Sequence, residues 1–478
     1  MLNVLHYFLG YPPFHGGGLM IYATNLAESQ LKGGQNVKML MPGEFYNNKA
    51  KSRIKYFSKK NGLFIYRIKN SLPVSYYGIK YPKKFIYAKD SSDFCQFLLK
   101  NKIEIVHLHS LIAFPKEYLQ QIKKLGIKVV MTTHDFYGIC PNICLYKYNK
   151  KICTNYNYGN ECYKCNKYTE DYSKLNKYNL KRNLLFFKYY IIMKYYIIMK
   201  EFYKKFRNNF CNNNIKKHSF INANYLDYNN SIHKTDYILF RKYFTEMISM
   251  IDLIIFNSYV TKETFSQYID INSINYKVIP VTHSQIRDNR NTFKYVPLKD
   301  NKINFIYLGY LDQKKGFFDL INVLEEVKKK YSNWQLHIYG DYSHLDIEKY
   351  DKNFYKFYGK YNHNDLTKIN SNASMIIIPS KLKETFGFIG LEAYSYGIPA
   401  LVSENVGFSM VINENKNGIV YKESKDNIYL KKSIIKILEQ PEILKEFNQE
   451  ILKDVNFDNY LIENHTKQII ECYKSLID

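Results

Sequence analysis

Proline and glycine are few in this chain, 12 and 21 among 478 residues, which excludes a collagenous or linker-dominated architecture. The opening MLNVLHYFLGYPPF has no basic leader and no small-residue cleavage site, and its apolar run is too short to span a bilayer. It is therefore expected to be a first strand and loop, not a secretory signal. The tandem repeat KYYIIMKYYIIMK, 188–200, fails as a membrane span, because Lys194 would sit mid-span at a cost of about 2.5–3.5 kcal/mol. Lys188, Lys194 and Lys200 fall about 120° apart on a helix, so no face is free of charge. The repeat reads as a surface insertion, with a lipid-facing anchor as the alternative. Acidic residues are also scarce: 43 Asp plus Glu stand against 69 Lys plus Arg, a formal charge of +26. Such a field attracts anions, whether nucleic acid, acidic headgroups or phosphorylated small molecules. Lys, Asn, Ile and Tyr are abundant throughout, however, and AT-rich codon usage would give the same excess, so charge is a weak guide to the partner.

What is present suffices for a folded protein. At 46% hydrophobic the chain can bury sizeable cores, and its length favours two domains over one. LNVLHYFL (2–9), NVKMLM (36–41), IEIVHLH (103–109), KVVMTTH (128–134), DLIIFNS (252–258) and YKVIP (276–280) read as strands, with helices at about 20–34 and 116–125 between them. After a polar linker at 284–301 the alternation resumes with INFIYLG (303–309), WQLHIYG (334–340), FYKFYG (354–359), MIIIPS (375–380), ALVS (400–403) and NGIVY (417–421), and helices follow to the end. Strands alternating with helices predict parallel sheets covered on both faces. Ligands bind such sheets beyond the carboxyl ends of the strands. The expected fold is α/β, two Rossmann-like domains facing across a cleft. The first covers 1–285 with a Cys-rich and helical insertion at about 140–250, and the second covers 300–456. A C-terminal helix at 457–478 packs back on the first domain.

Within KETFGFIGLEA, 383–393, Glu384 falls in the loop after a strand and Glu392 a turn or so into the next helix. Gly387 and Gly390 allow close backbone approach, and the amides around Phe388 and Ile389 crown a helix N-terminus suited to an anion. Two carboxylates beside an anion site could hold the hydroxyls of a sugar and a ribose; stabilising the helix dipole is the bland alternative. YLDQKKG (310–316) offers Lys315 to a phosphate, although most single lysines are merely solvated. FHGGG (14–18) stands where a phosphate-approaching glycine loop would, or is a plain turn.

This combination resembles the retaining glycosyltransferases of family four, which have the GT-B fold, over most of the chain outside about 166–245. The motifs that carry the resemblance are Glu384 and Glu392 with seven residues between them, followed by Ala393 and GIPALVS; PPFHGGG with LAESQLKGGQNVKML; HD at 134–135; and VIP at 278–280. The resemblance implies transfer of a sugar from a nucleotide-diphosphate sugar with retained configuration, without a divalent metal in catalysis. It implies that Glu384 holds the donor sugar, Glu392 the ribose, and Lys315 with the amides near Phe388 and Ile389 the diphosphate. His134 would face the donor from the opposite domain, and Gly16 and Gly17 would bring the opening loop to the diphosphate and acceptor. Two positions depart from the pattern: Tyr310 stands where the family usually has Arg, and Met410 where an acidic residue is common.

CPNICLYKYNKKICTNYNYGNECYKC, 140–165, holds five cysteines. Without export they point to reduced thiols, whose density suits a structural zinc, with free thiols as the alternative; the resemblance, which in some family members extends to such a stretch, implies Cys140, Cys153, Cys162 and Cys165 as its ligands. The expected protein works at the cytoplasmic membrane face on a saccharide or lipid-linked acceptor in surface polysaccharide synthesis, peripheral on an anionic bilayer. The alternatives are a sugar-nucleotide epimerase of the same fold or a degenerate, non-catalytic binding protein. Nucleic acid is not an expected partner, since no recognition motif appears.

Overall fold

The computed structural model describes residues 1–10, 17–43, 51–75, 78–169 and 233–478. Gly16 and the 188–200 repeat lie outside the described residues. Eight strands form the first sheet: β1 (Asn3–Tyr7), β2 (Asn36–Pro42), β3 (Arg53–Lys60), β4 (Leu63–Lys69), β5 (Ile105–Leu108), β6 (Lys128–Thr133), β7 (Leu253–Phe256) and β8 (Tyr276–Val278). They run in the order β3-β4-β2-β1-β5-β6-β7-β8, all parallel except the β3–β4 pair. The central strands β5 and β7 are buried at every residue, as continuous apolar runs must be in a parallel sheet covered on both faces.

The second sheet has β9 (Ile303–Leu308), β10 (Trp334–Tyr339), β11 (Tyr355–Gly359), β12 (Met375–Ile378), β13 (Ala400–Ser403) and β14 (Ile419–Tyr421). Its order is β11-β10-β9-β12-β13-β14, parallel throughout. The chain winds one way from β9 and the other from β12, so the loops after these two strands diverge and open a crevice.

Among the elements not read from the sequence are β3, β4 and the helices Ser92–Lys100, Tyr259–Ser266 and Leu366–Asn370. The hairpin turn is Asn61-Gly62, with φ of 49° and 85°, the left-handed pair that a tight two-residue turn needs.

The segment 279–302 contains no strand or helix and is anchored on the second domain. Arg290 donates to the carbonyls of Ile451 and Val455 at 2.8 and 2.9 Å, and Tyr295 Oη donates to Ser374 O at 2.7 Å. The helix Ile462–Ile477 lies against the first domain. There Thr466 Oγ1 donates to Ser29 Oγ at 2.9 Å, and Tyr22 Oη meets His465 Nε2 at 2.8 Å. One apolar cluster runs through both domains, joining Val4, Leu26 and Ile255 to Ile306, Ile376 and Ile469. Among the described residues no helix is long and apolar enough to cross a membrane. The architecture is thus α/β with two parallel-sheet domains, and the Cys-rich segment is a small addition to the first.

Candidate active site

The loop after β9 turns at Gly316, where φ is +71° and a Cβ would fall 1.7 Å from Pro379 O. Only glycine lets this loop lie against the end of β12. The turn sets Lys315 Nζ 3.0 Å from Glu384 Oε1, a pairing that spacing alone did not reveal. Glu384 is fixed by its backbone: its N–H donates to Asn405 O at 2.8 Å and its carbonyl accepts from Gly407 N at 3.0 Å. At Gly387, φ is +102° and a Cβ would meet Val406 at 2.9 Å. The short helix Phe388–Tyr394 starts there and carries Glu392.

Glu392 is braced by histidines. His283 Nδ1 accepts from Gln285 N–H at 3.3 Å, which puts the ring hydrogen on Nε2, and Nε2 lies 3.4 Å from Glu392 Oε1. His363 Nε2 stands 3.9 Å from the same oxygen. The Phe388 ring meets His283 edge to face at 4.9 Å between centroids. Neither histidine was singled out from sequence, since His283 precedes the linker and His363 opens a short 3-10 turn, His363–Asp365, far along the chain.

The first domain contributes residues at the carboxyl ends of β5, β6 and β7. His134 is half-buried, with Nε2 3.4 Å from His109 Nδ1 and Nδ1 3.5 Å from Asn257 Nδ2. Burial lowers its pKa to about 3, helped by His465 nearby, so the imidazole is neutral. Asp135 accepts from Ser110 Oγ at 2.8 Å and Tyr137 N–H at 2.9 Å. Burial nonetheless raises its pKa to about 6, against the lowering by those two donors.

The domains touch directly beside these groups. Thr261 Oγ1 donates to Thr385 O at 2.9 Å, Thr385 Oγ1 donates to His134 O at 3.4 Å, and Gly18 abuts the Phe388 ring. Between the domains lies a cavity of about 380 Å³ whose walls include His134, Asn257, Lys315, Lys383, Glu384 and Phe388. A second cavity of about 250 Å³ adjoins it inside the second domain, bounded by Tyr310, Tyr361 and Ile389, and shares Lys315 and Glu384 with the first. His134, Glu384, Lys315, Gly387 and Phe388 therefore come together on one cavity, and Ile389 on its neighbour. Gly17 stands just before the helix Gly18–Lys32, and it is Gly18 that reaches the cavity wall. Tyr310 is 75% exposed at the mouth of the smaller cavity, so no cation stands at that position.

Lys383 was missed, although it immediately precedes Glu384. It lines the interdomain cavity, burial lowers its pKa, and no ion-pair partner is found for it among the described residues. Its neighbour Lys381 is by contrast tied to Asp319 at 2.8 Å.

Cys140, Cys153, Cys162 and Cys165 border one small cavity with the buried Arg241, which donates to Cys162 Sγ at 3.5 Å. Burial raises the Cys140, Cys162 and Cys165 thiols, Cys165 to about 11. Among the described residues, the sets of three ligating atoms within 4.8 Å of one another are His6, His107, His109 and His283, His363, Glu392. The cysteine donors suit zinc in type, but their spacing is wider than one ion's ligand shell.

Residues 288–454 match the family model described as glycosyl transferases group 1. A trehalose synthase of Pyrococcus horikoshii is 25% identical over 178 residues, 34% of this chain and 42% of that protein. An uncharacterised glycosyltransferase of Methanocaldococcus jannaschii is 25% identical over 194 residues, 38% of this chain and 48% of that one. The chain thus spans less than half the length of these curated relatives. Among solved structures, sucrose-phosphate synthase from Thermosynechococcus elongatus superposes with a TM-score of 0.54 at 14% identity, over 100% of this chain and 99% of that one. Anabaena HepE in complex with UDP gives 0.56 at 11% identity, over 99% and 100%. The second domain therefore carries the group 1 glycosyl transferase pattern, within a chain whose fold is GT-B.

Proposed function

We propose that this protein transfers a sugar from a nucleotide-diphosphate sugar to a saccharide or lipid-linked acceptor, with the anomeric configuration retained. The observation that carries the reading is the pair of adjoining cavities at the domain boundary that share Lys315 and Glu384. In this reading the nucleotide occupies the second-domain side, where Glu392 accepts the ribose hydroxyls and His283 holds the carboxylate in place. The sugar lies beside Glu384, whose carboxylate accepts from its hydroxyls, with His134 opposite. The bond from the anomeric carbon to the diphosphate breaks, and the acceptor oxygen bonds to that carbon from the same face. The acceptor's proton passes to the leaving diphosphate. Lys315 and the amides near Phe388 and Ile389 meet the charge that develops there. Lys383, a second cation on the larger cavity, offsets the lack of one at Tyr310. Anabaena HepE, which shares the fold, is known in complex with UDP, which supports a nucleotide-diphosphate donor here.

This assignment needs no metal in its chemistry. A structural zinc on Cys140, Cys153, Cys162 and Cys165 would need the four thiols to draw closer together than they stand, and would then shape the loop after β6. A cytoplasmic location at an anionic membrane face, in surface glycan synthesis, goes with the same reading.

The test is nucleoside diphosphate release across a panel of nucleotide sugars, with and without saccharide acceptors, by the wild-type chain and Glu384→Gln in parallel. Turnover on one donor, reduced roughly 10²–10³-fold in the variant, is the expected result. Donor converted without acceptor and without diphosphate release would favour an epimerase instead. Absence of turnover and of diphosphate binding on every donor would overturn the transferase reading.

A further inference from the structure

His6 and His107 face each other across β1 and β5, and His109 stands just past the end of β5, where its N–H donates to Tyr7 O at 2.9 Å. All three are fully buried. Their nitrogens are close enough for a shared metal, yet every ring nitrogen already has a partner. His6 Nε2 lies 2.8 Å from Gln30 Oε1, and His6 Nδ1 lies 2.9 Å from His109 Nε2. His109 Nδ1 continues to His134 Nε2 at 3.4 Å, and His134 Nδ1 to Asn257 Nδ2 at 3.5 Å. On the other side Gln30 Nε2 donates to Tyr473 Oη at 3.1 Å. Tyr473 Oη lies 2.6 Å from His107 Nδ1, and His107 Nε2 lies 2.7 Å from Thr132 Oγ1. A metal would have to break these bonds, whereas a hydrogen-bonded chain uses them all.

Burial keeps His6, His107, His109 and His134 neutral. Each neutral ring has one donor and one acceptor, so a single fixed link orients the rest. Gln30 is that link: its Oε1 can only accept and its Nε2 can only donate. His6 must then carry its hydrogen on Nε2 and accept at Nδ1. His109 must donate from Nε2 and accept at Nδ1, and His134 must donate from Nε2. Asn257 Nδ2 points the same way at the far end, but at 3.5 Å it is too weak a link to fix the ring without Gln30. The links at the cavity are the longest of the chain, and there an incoming group competes most easily.

We propose that Gln30 is a positioning residue for the cleft: through His6 and His109 it holds His134 as the Nε2–H tautomer, leaving Nδ1 an acceptor for a substrate hydroxyl. Such a nitrogen suits a sugar or acceptor hydroxyl and repels a phosphate oxygen. The inference rests on the glycosyl-transfer reading for what the hydroxyl belongs to, but not for the tautomer itself.

The test is long-range ¹⁵N–¹H NMR of the full chain labelled at histidine, with the His134 signals assigned by their loss in His134→Asn. The wild type is expected to show protonated Nε2 and bare Nδ1 at His134. Gln30→Met should convert this into a mixture of tautomers. Gln30→Glu, whose oxygens accept from both His6 and Tyr473, should restore the single form. In turnover, Gln30→Met should lower kcat/KM while Gln30→Glu returns most of it. A wild-type His134 protonated on Nδ1, or a tautomer unchanged in Gln30→Met, overturns the proposal. If Gln30→Met does not fold, the wild-type and Gln30→Glu spectra decide alone, because either one showing Nδ1–H sinks it. The readout requires no substrate, so its failure and that of the transferase reading are separate results.

Discussion

At Gly316 a single Cβ decides whether Lys315 can meet Glu384. Gly316→Ala places that carbon on the Pro379 carbonyl and makes the left-handed turn costly. The expected result is a loss of about 1–3 kcal/mol in unfolding free energy, with nucleoside diphosphate affinity weakened as well; denaturant titration and calorimetry check both. If Lys383 offsets the missing cation at Tyr310, Lys383→Met should weaken diphosphate binding by about tenfold and Tyr310→Arg should strengthen it, each read by calorimetry. Asp135 predicts a pH effect of defined sign. Its folded pKa is raised from 3.8 to about 6 by burial, so the fold favours the protonated acid. This contribution to stability is present at low pH and is lost as pH rises from about 4 to about 6. The wild-type curve should therefore fall, relative to that of Asp135→Asn, across that window and run parallel above it.

Among the elements, the Cys-rich loop has an unusual backbone before its short helix Asn160–Asn166. Ile143, Leu145, Lys150, Asn157 and Tyr158 all have positive φ, which is costly for residues with a Cβ. If a zinc draws the four thiols together, elemental analysis should give one ion per chain, and removal by a chelator should lower Tm and draw the four thiols into reaction with a thiol probe. A metal-free protein with unchanged Tm would leave the loop to Arg241 and its buried thiols. The sequence was most legible where whole strands are apolar, as in β5, β7, β9 and β12, since burial on both faces leaves an unbroken signal. It was least legible at β3, whose residues are mostly half-exposed or exposed, although the Asn61-Gly62 turn was there to be seen. Site residues next to a strand end, His134 and Glu384, could be placed by their spacing. Lys383 looked like one more solvated lysine, and His283 and His363 meet Glu392 only in three dimensions. The Gln30 chain was hidden for the same reason, since its members come from β1, β5, β6 and two helices at opposite ends of the sequence.

For the molecule as a whole, the charge of +26 makes a prediction apart from the cleft. Binding to vesicles containing an anionic phospholipid should be strong at low ionic strength and fall steeply by 0.5 M salt, where the Debye length is roughly 4 Å; sedimentation with the vesicles measures it. Equal binding to neutral vesicles would remove charge as the cause.

The helix Ile462–Ile477 is anchored by Tyr22, Ser29 and His107, and its Tyr473 closes the first domain's buried polar centre. During synthesis those partners leave the ribosome long before the helix that completes them. The first domain must therefore wait, its histidine centre unclosed, until the second domain has been made. Contacts of such long sequence separation are slow to form. A nascent chain stalled before residue 457 should still expose that apolar and histidine-lined face to chaperones, while the second domain has already folded.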